Sequence, residues 1–335
     1  MKISFIAEND WANVLTEYSH CLNKHSEDIE CKSICFKPHP FNYSIQHDYD
    51  LENCGDEILE RVRKWVDGSD IIVFGEEGHP IEPSYRTLRG FSSILGLDLF
   101  NSGKKLCIWH PGTHYRQNFE FYNNHPLRDK IYKHFYALDL YRLSPKKVND
   151  TPLFPYQYYN FNYDTFISNF KEKLDTLPWT ILHIPSNSSI KGTPIFNKII
   201  ESLDLDPKLF TYKVLENVPH SEVIKEKEKS VFYLDQINDM CGGYGLASLE
   251  AIFLSNLTFS TVGNIPDSMF KLTGRYECPV VPLESNIETL TPLLNQFIKN
   301  TSKEDLIEYM EGIGQWIKNN NSPESIVKQF KEFIT

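Results

Sequence analysis

Short apolar runs alternate with longer stretches of helical periodicity along most of this chain, and that alternation constrains the fold more than any other feature. Residues 2–7 (KISFIA), 70–74 (DIIVF), 105–109 (KLCIW), 180–184 (TILHI) and 230–234 (SVFYL) are runs of five or six residues. They are short and mostly apolar on successive positions, as expected of strands covered on both faces. Helical patterns follow them. Trp11, Val14, Leu15 and Tyr18 form one apolar stripe, and Leu51, Ile58, Val62 and Val66 form another. The spacing also predicts strands from Lys32 and over 137–143, 208–215, 257–262 and 279–281. Helices are predicted over 84–95, 194–203, 221–229, 286–299 and 303–318. A last helix starts with Ser322 as N-cap and Pro323 at its first position, with Ile326, Phe330 and Phe333 on its apolar face. Strands alternating with helices build a parallel sheet with helices on both faces, so the expected class is α/β.

The chain has 335 residues, which suits two such domains better than one core. The alternation breaks at 151–164 (TPLFPYQYYNFNYD), a stretch rich in Pro and aromatics. It is expected to connect the two domains, although an aromatic surface for sugar rings is an alternative. The net charge of −11 disfavours a sequence-independent nucleic-acid surface, which needs clustered Lys and Arg. The seven cysteines are odd in number and contain no Cys-x-x-Cys pair, so zinc-finger spacing is absent and free thiols in a reducing cytoplasm are expected. The start, MKISFIAENDW, is broken by acids and reads as neither signal peptide nor anchor. No run approaches the ~18 apolar residues of a membrane span. The chain lacks a Gly-x-x-x-x-Gly-Lys-Ser/Thr loop and a Gly-x-Ser-x-Gly elbow, and its first strand leads into ENDW rather than Gly-x-Gly-x-x-Gly. Asp204-Leu205-Asp206 imitates a metal motif but is expected only to end a helix.

Ligands of open parallel sheets bind beyond the carboxyl ends of the strands, and four loops occupy that position here. Loop 185–193 (PSNSSIKGT) offers Ser186, Asn187, Ser188 and Ser189, then Lys191 and Gly192 before a helix. A lysine beside a helix N-terminus suits a diphosphate, although Lys-Gly before a helix is also an ordinary solvated turn. In the segment 242–251 (GGYGLASLEA) a glycine turn opens a helix. The glycines permit close approach of a ligand, and the helix start offers unpaired N–H groups to phosphate. Glu250 lies one to two turns in, where a carboxylate can accept from vicinal hydroxyls. The plain alternative is a turn that packs a helix onto a sheet. The loop from His110 to Arg116 carries two histidines and an arginine that could handle protons and a hydroxylated substrate. The loop 75–80, with Glu76, Glu77 and His79, is more simply a solvated acidic turn.

HIPSNSSIKGT at 183–193, YLDQ at 233–236 and GGYGLASLEAIFLSN at 242–256 resemble the retaining glycosyltransferases of the GT-B fold, of the group 1 or family 4 type. The resemblance implies two Rossmann-like domains facing across a cleft, with a C-terminal helix crossing back to the first. It implies an acceptor domain over 1–155, a linker over 156–178, a nucleotide-sugar domain over 179–318 and the crossing helix in 319–335. The implied activity moves a sugar from a nucleotide-diphosphate sugar to a hydroxyl with retention, with no metal and no cofactor beyond the donor. Lys191 would contact the diphosphate, with Ser186, Asn187 and Gly192 in the same donor loop. Gly243, Tyr244 and Gly245 would lie against sugar and phosphate, and Glu250 would hold the ribose. His114 and Arg116 would face the cleft from the acceptor side. The acceptor would be a glycan, a lipid-linked molecule or another hydroxyl compound, in the cytoplasm and compatible with peripheral membrane contact. The chain departs from the pattern where many relatives have a glutamate, at Gly242, and in the loop after the first strand, Asn9–Asn13. A basic residue that often precedes the lysine is also absent. An epimerase of similar architecture and a non-catalytic nucleotide-sugar-binding module are the alternatives.

Overall fold

The computed structural model describes residues 1–10, 13–37, 43, 45–75, 86–110, 112–141, 143–152, 161–238, 244–262, 278–284 and 286–334, with backbone only at 86, 87, 113, 114, 138 and 139. The chain divides into two compact units, Met1–Tyr158 with Ile326–Thr335, and Tyr159–Ser325.

In the first unit the elements run β1 (Lys2–Ala7), α1 (Val14–His25), β2 (Glu30–Cys35), β3 (Tyr49–Asp50), α2 (Asp56–Asp67), β4 (Ile71–Gly75), α3 (Arg86–Leu95), β5 (Lys105–His110), α4 (Gly112–Asn124), β6 (Lys133–Tyr136), α5 (Leu138–Tyr141) and β7 (Asp150–Pro152). The seven strands are all parallel in the order β3-β2-β1-β4-β5-β6-β7. Every residue of β4 is buried, as its unbroken apolar run requires. The strand order reverses between β1 and β4.

The second unit contains α6 (Tyr163–Asp175), β8 (Trp179–His183), α7 (Ser188–Lys191), α8 (Thr193–Ser202), β9 (Phe210–Val214), α9 (His220–Lys229), β10 (Phe232–Gln236), α10 (Leu246–Phe253), β11 (Leu257–Thr261) and β12 (Val281–Leu283). Helix α11 (Ile287–Asn295), a π-turn at Gln296–Asn300 and α12 (Lys303–Asn320) follow. Its five parallel strands take the order β12-β11-β10-β8-β9. The first strand, β8, therefore lies between the second and third, and the sheet changes direction between β8 and β10.

The last helix, α13 (Pro323–Ile334), starts as its sequence requires: Ser322 Oγ accepts from the Ser325 N–H at 3.2 Å. From Ile326 onward it belongs to the first unit. The Phe330 ring lies 5.7 Å from both Phe5 and Tyr18, and Lys331 pairs with Asp28.

Some boundaries differ from the sequence reading. The strand expected over 137–143 is instead β6 at Lys133–Tyr136 followed by the turn of helix α5. A short apolar run of this kind fits strand or helix equally, and Leu140, fully buried, serves the core from the helix. The strand expected at 279–281 is β12, two residues later. The stretch 156–178, expected to act as a linker, includes the thirteen-residue helix α6, with Phe166, Ile167, Phe170 and Leu174 buried. It packs so closely on α12 that a Cβ on Gly314 would sit 2.8 Å from the Tyr163 ring. Residues 153–160 and the acidic turn 76–80 lie outside the described residues. Among the described residues no helix is long and apolar enough to cross a membrane.

Candidate functional site

Open α/β sheets bind ligands in the crevice beyond the carboxyl ends of the strands where the order reverses, which here is between β8 and β10. Both donor-loop stretches singled out in the sequence flank it. The segment from Ser186 to Gly192 follows β8, and the glycine turn follows β10.

After β8, Ser186 and Asn187 are exposed. Asn187 is the N-cap of α7: its Oδ1 accepts from the N–H groups of Ser189 and Ile190 at 3.1 and 3.2 Å. Lys191 ends that turn, and Gly192 follows with φ +75°. A Cβ at Gly192 would lie 2.7 Å from the Ile237 carbonyl oxygen, so this position excludes a side chain twice over, by conformation and by space. The Ile237 N–H donates to the Lys191 carbonyl at 3.2 Å, which holds the turn against the end of β10. Gly192→Ala is expected to destabilise the fold by about 1–3 kcal/mol in urea denaturation. An unchanged midpoint would contradict this description of the turn.

The strands are tied together beneath the crevice. His183 Nδ1 donates to the Leu234 carbonyl at 2.7 Å, which leaves Nε2 to accept from the Thr193 hydroxyl at 2.8 Å. Burial lowers the pKa of His183, in keeping with this neutral form.

Lys191 Nζ donates to Asp235 Oδ1 at 2.9 Å and to Gln236 Oε1 at 2.8 Å. Asp235, the fourth residue of β10, is buried, and its Oδ2 accepts from the hydroxyls of Ser248 at 2.6 Å and Ser260 at 3.3 Å. Burial alone would raise its pKa. The Lys191 ammonium and the Ser248 hydrogen bond outweigh that and bring it below the usual carboxylate value.

Ser248 belongs to α10, whose N-cap is Gly245, a residue with no side chain to cap the first turn. A Cβ on Gly245 would meet no described atom within 4 Å. Tyr244 is buried, with its ring 6.5 Å from Trp316, edge to face. Gly243 lies outside the described residues. Glu250, two residues beyond Ser248, is buried in an ionic cluster. Its Oε1 is 2.7 Å from His220 Nε2, and its Oε2 is 2.6 Å from Lys227 Nζ. Burial would raise the Glu250 pKa, but the Lys227 ammonium and the His220 hydrogen bond bring it down to about 2. A chain of bonds thus runs from Lys191 through Asp235 and Ser248 into the helix that carries Glu250.

In the first unit the expected loop 110–116 takes another form. His110 is the last residue of β5 and is buried, and α4 begins at Gly112. Its ring stacks on Tyr136 at 4.8 Å, and its Nε2 is 3.0 Å from His134 Nδ1. His134 Nε2 donates to the Arg128 carbonyl, and burial with the Arg128 charge pushes its pKa down to about 3. His110 is therefore part of a buried aromatic and histidine core. The sequence reading put His110 in a loop that handles protons; it ends a strand instead, and a strand's last residue can point inward as readily as outward. His114 and Arg116 both lie in the first turn and a half of α4, at the carboxyl end of β5. Arg116 is half-buried, and the His114 side chain lies outside the described residues.

Four residues of the second-unit site were missed in the sequence as functional candidates: Asp235, Ser248, His220 and Lys227. An aspartate directly after the apolar run SVFYL was the available signal for the first. Lys227 sits in EVIKEKEKS, where nothing separates a buried lysine from its solvated neighbours. Among the described residues, no group of three or more His, Cys, Asp or Glu side chains is placed to hold a metal ion.

No family model matches the chain, and no curated protein matches it. Solved structures match over its whole length. The catalytic domain of starch synthase IV from Arabidopsis thaliana, bound to ADP and acarbose, is 10% identical, with 100% of this chain and 98% of that chain covered and a TM-score of 0.54. A UDP-N-acetylglucosamine 2-epimerase is 14% identical, with 100% and 95% covered and a TM-score of 0.51. WaaG, a glycosyltransferase involved in lipopolysaccharide biosynthesis, is 10% identical, with 99% of both chains covered and a TM-score of 0.50. At such identities the likeness is one of fold: the chain has the two parallel-sheet, Rossmann-like units of the GT-B fold.

Proposed function

We propose that this chain is a glycosyltransferase that moves a sugar from a nucleotide-diphosphate sugar to an acceptor hydroxyl with retention and without a metal ion. The observation that carries it is the placement of Lys191 and the glycine-led start of α10 after the two strands of the β8/β10 switch point. A lysine and a helix N-terminus at one switch point suit a diphosphate. Glu250, held ionised by Lys227 and His220 in the helix that starts at this point, is assigned to the ribose hydroxyls. The first unit takes the acceptor, with His114 and Arg116 on its side.

The reaction breaks the bond between the anomeric carbon and the diphosphate oxygen. The acceptor oxygen bonds to the same carbon on the same face, and its proton passes to the departing phosphate oxygen. Charge on the leaving diphosphate is stabilised by Lys191 and the helix N-terminus, which are in place before reaction. A second reading is favoured by the epimerase likeness at 14% identity: a nucleotide-sugar epimerase with the same donor site. Incubation with a panel of nucleotide sugars separates the two. Release of nucleoside diphosphate only when an acceptor is added supports transfer. Conversion of the nucleotide sugar without any acceptor supports epimerisation and overturns transfer.

A further inference from the structure

We infer that Asp235 is a positioning residue for nucleotide binding: it fixes the Lys191 ammonium at the β8/β10 crevice and couples it, through Ser248, to helix α10. The inference rests on the assignment of Lys191 to the phosphates made above.

Four elements meet at this carboxylate. Lys191 comes from the turn after β8, Asp235 and Gln236 from β10, Ser248 from α10 and Ser260 from β11. The Asp235 side chain is 1% exposed, whereas that of Lys191 is 18% exposed. The pair is therefore buried on its anionic side and open on its cationic side. For stability alone, well-packed apolar side chains of similar volume would serve as well or better. Lys191 has three N–H donors. Asp235 and Gln236 take two, and the third has no partner among the described residues. A free lysine side chain carries roughly 2 kcal/mol of rotamer entropy, so anchoring it beforehand removes most of that loss from the binding step. Asp235 also offsets part of the lysine's attraction for an anion. The positional gain must exceed that loss for the network to aid binding, and we expect that it does, because the carboxylate charge is shared with two hydroxyls on its far oxygen.

The test is a double-mutant cycle read by calorimetry on the full chain, with UDP, ADP and GDP as probes. In the wild-type background, Asp235→Asn is expected to weaken binding of the recognised diphosphate about tenfold. In the Lys191→Ala background it is expected to change affinity less than twofold. Equal weakening in both backgrounds overturns the inference, because Asp235 then acts independently of the lysine. No weakening in the wild-type background, with Lys191→Ala weak, overturns it as well while leaving the phosphate assignment intact. Unchanged binding in Lys191→Ala itself overturns that assignment and the inference with it. Should Asp235→Asn not fold, Ser248→Ala enters the same cycle. This change in the first turn of α10 removes only the nearer of the two hydroxyls on Oδ2. Its expected weakening is about threefold in the wild-type background and absent without Lys191, and persistence without Lys191 overturns the inference.

Discussion

Replacing Lys191 with alanine is expected to weaken nucleoside-diphosphate binding by one to two orders of magnitude and to slow sugar transfer by two to three. A hydrogen bond to a charged group contributes roughly 1.5–3 kcal/mol, which corresponds to about 10–150-fold in affinity. Transfer suffers more, because charge grows on the departing diphosphate and a preset donor is worth roughly 10²–10³ in rate. Lys191→Ala also leaves Asp235 buried without its cation, held by the Ser248 and Ser260 hydroxyls alone. The Asp235 pKa then rises and some stability is lost, so binding has to be measured well below the unfolding temperature. Lys191→Arg is expected not to restore function: the gap between Asp235 Oδ1 and Gln236 Oε1 holds a compact ammonium, and a planar guanidinium needs a wider seat. Full transfer activity in Lys191→Ala would remove the lysine from the mechanism.

Glu250→Ala is expected to destabilise the fold by about 3–5 kcal/mol, the usual result of leaving one partner of a buried ion pair alone. The stranded partner is Lys227, whose side chain is 1% exposed and whose remaining acceptor is the Ala247 carbonyl at 3.0 Å. If Glu250 also holds the ribose, the same change raises the donor KM. The buried pair adds a stability loss that a binding assay alone would misread. The same pair sets a pH dependence. Glu250 has a folded pKa of about 2 against an ordinary value of 4.5. Its contribution is therefore present above about pH 4.5 and is lost as pH falls toward 2, on the order of 3 kcal/mol in all. Denaturant titrations at pH 6 and pH 3 check this: the wild type should lose stability between them, and Glu250→Gln should lose less. An equal loss in both proteins would show that Glu250 titrates at its ordinary value in the folded state.

The class of fold was legible because β1, β4, β5, β8 and β10 are short, mostly apolar runs of the kind a doubly covered parallel sheet hides. The site was half legible. The Lys191 and Gly245 loops could be placed at strand ends, and the order β12-β11-β10-β8-β9 puts those ends at the sheet's switch point. Sheet order is a non-local property, so no stretch of sequence states it. For the same reason the partners of Lys191 and Glu250 stayed hidden: Asp235 is 44 positions from the lysine it holds, and Lys227 is 23 from its glutamate. Helix α6 was obscured by the Pro- and aromatic-rich stretch before it, although Phe166, Ile167, Phe170 and Leu174 mark one helical face. His110 misled in the opposite sense, since a histidine next to Pro-Gly at a strand end reads as a loop residue while its ring in fact stacks in the core.

The most direct test of the nucleotide site is the thermal unfolding of the full chain against a panel of nucleoside diphosphates and their sugars. A ligand that binds the folded state at about 100 times its Kd stabilises it by ~2.7 kcal/mol, a clear rise in Tm. At least one nucleoside diphosphate is expected to produce that rise in the wild type and a much smaller one in Lys191→Ala. A flat response to the whole panel, or an equal rise in both proteins, would contradict a diphosphate site between β8 and β10.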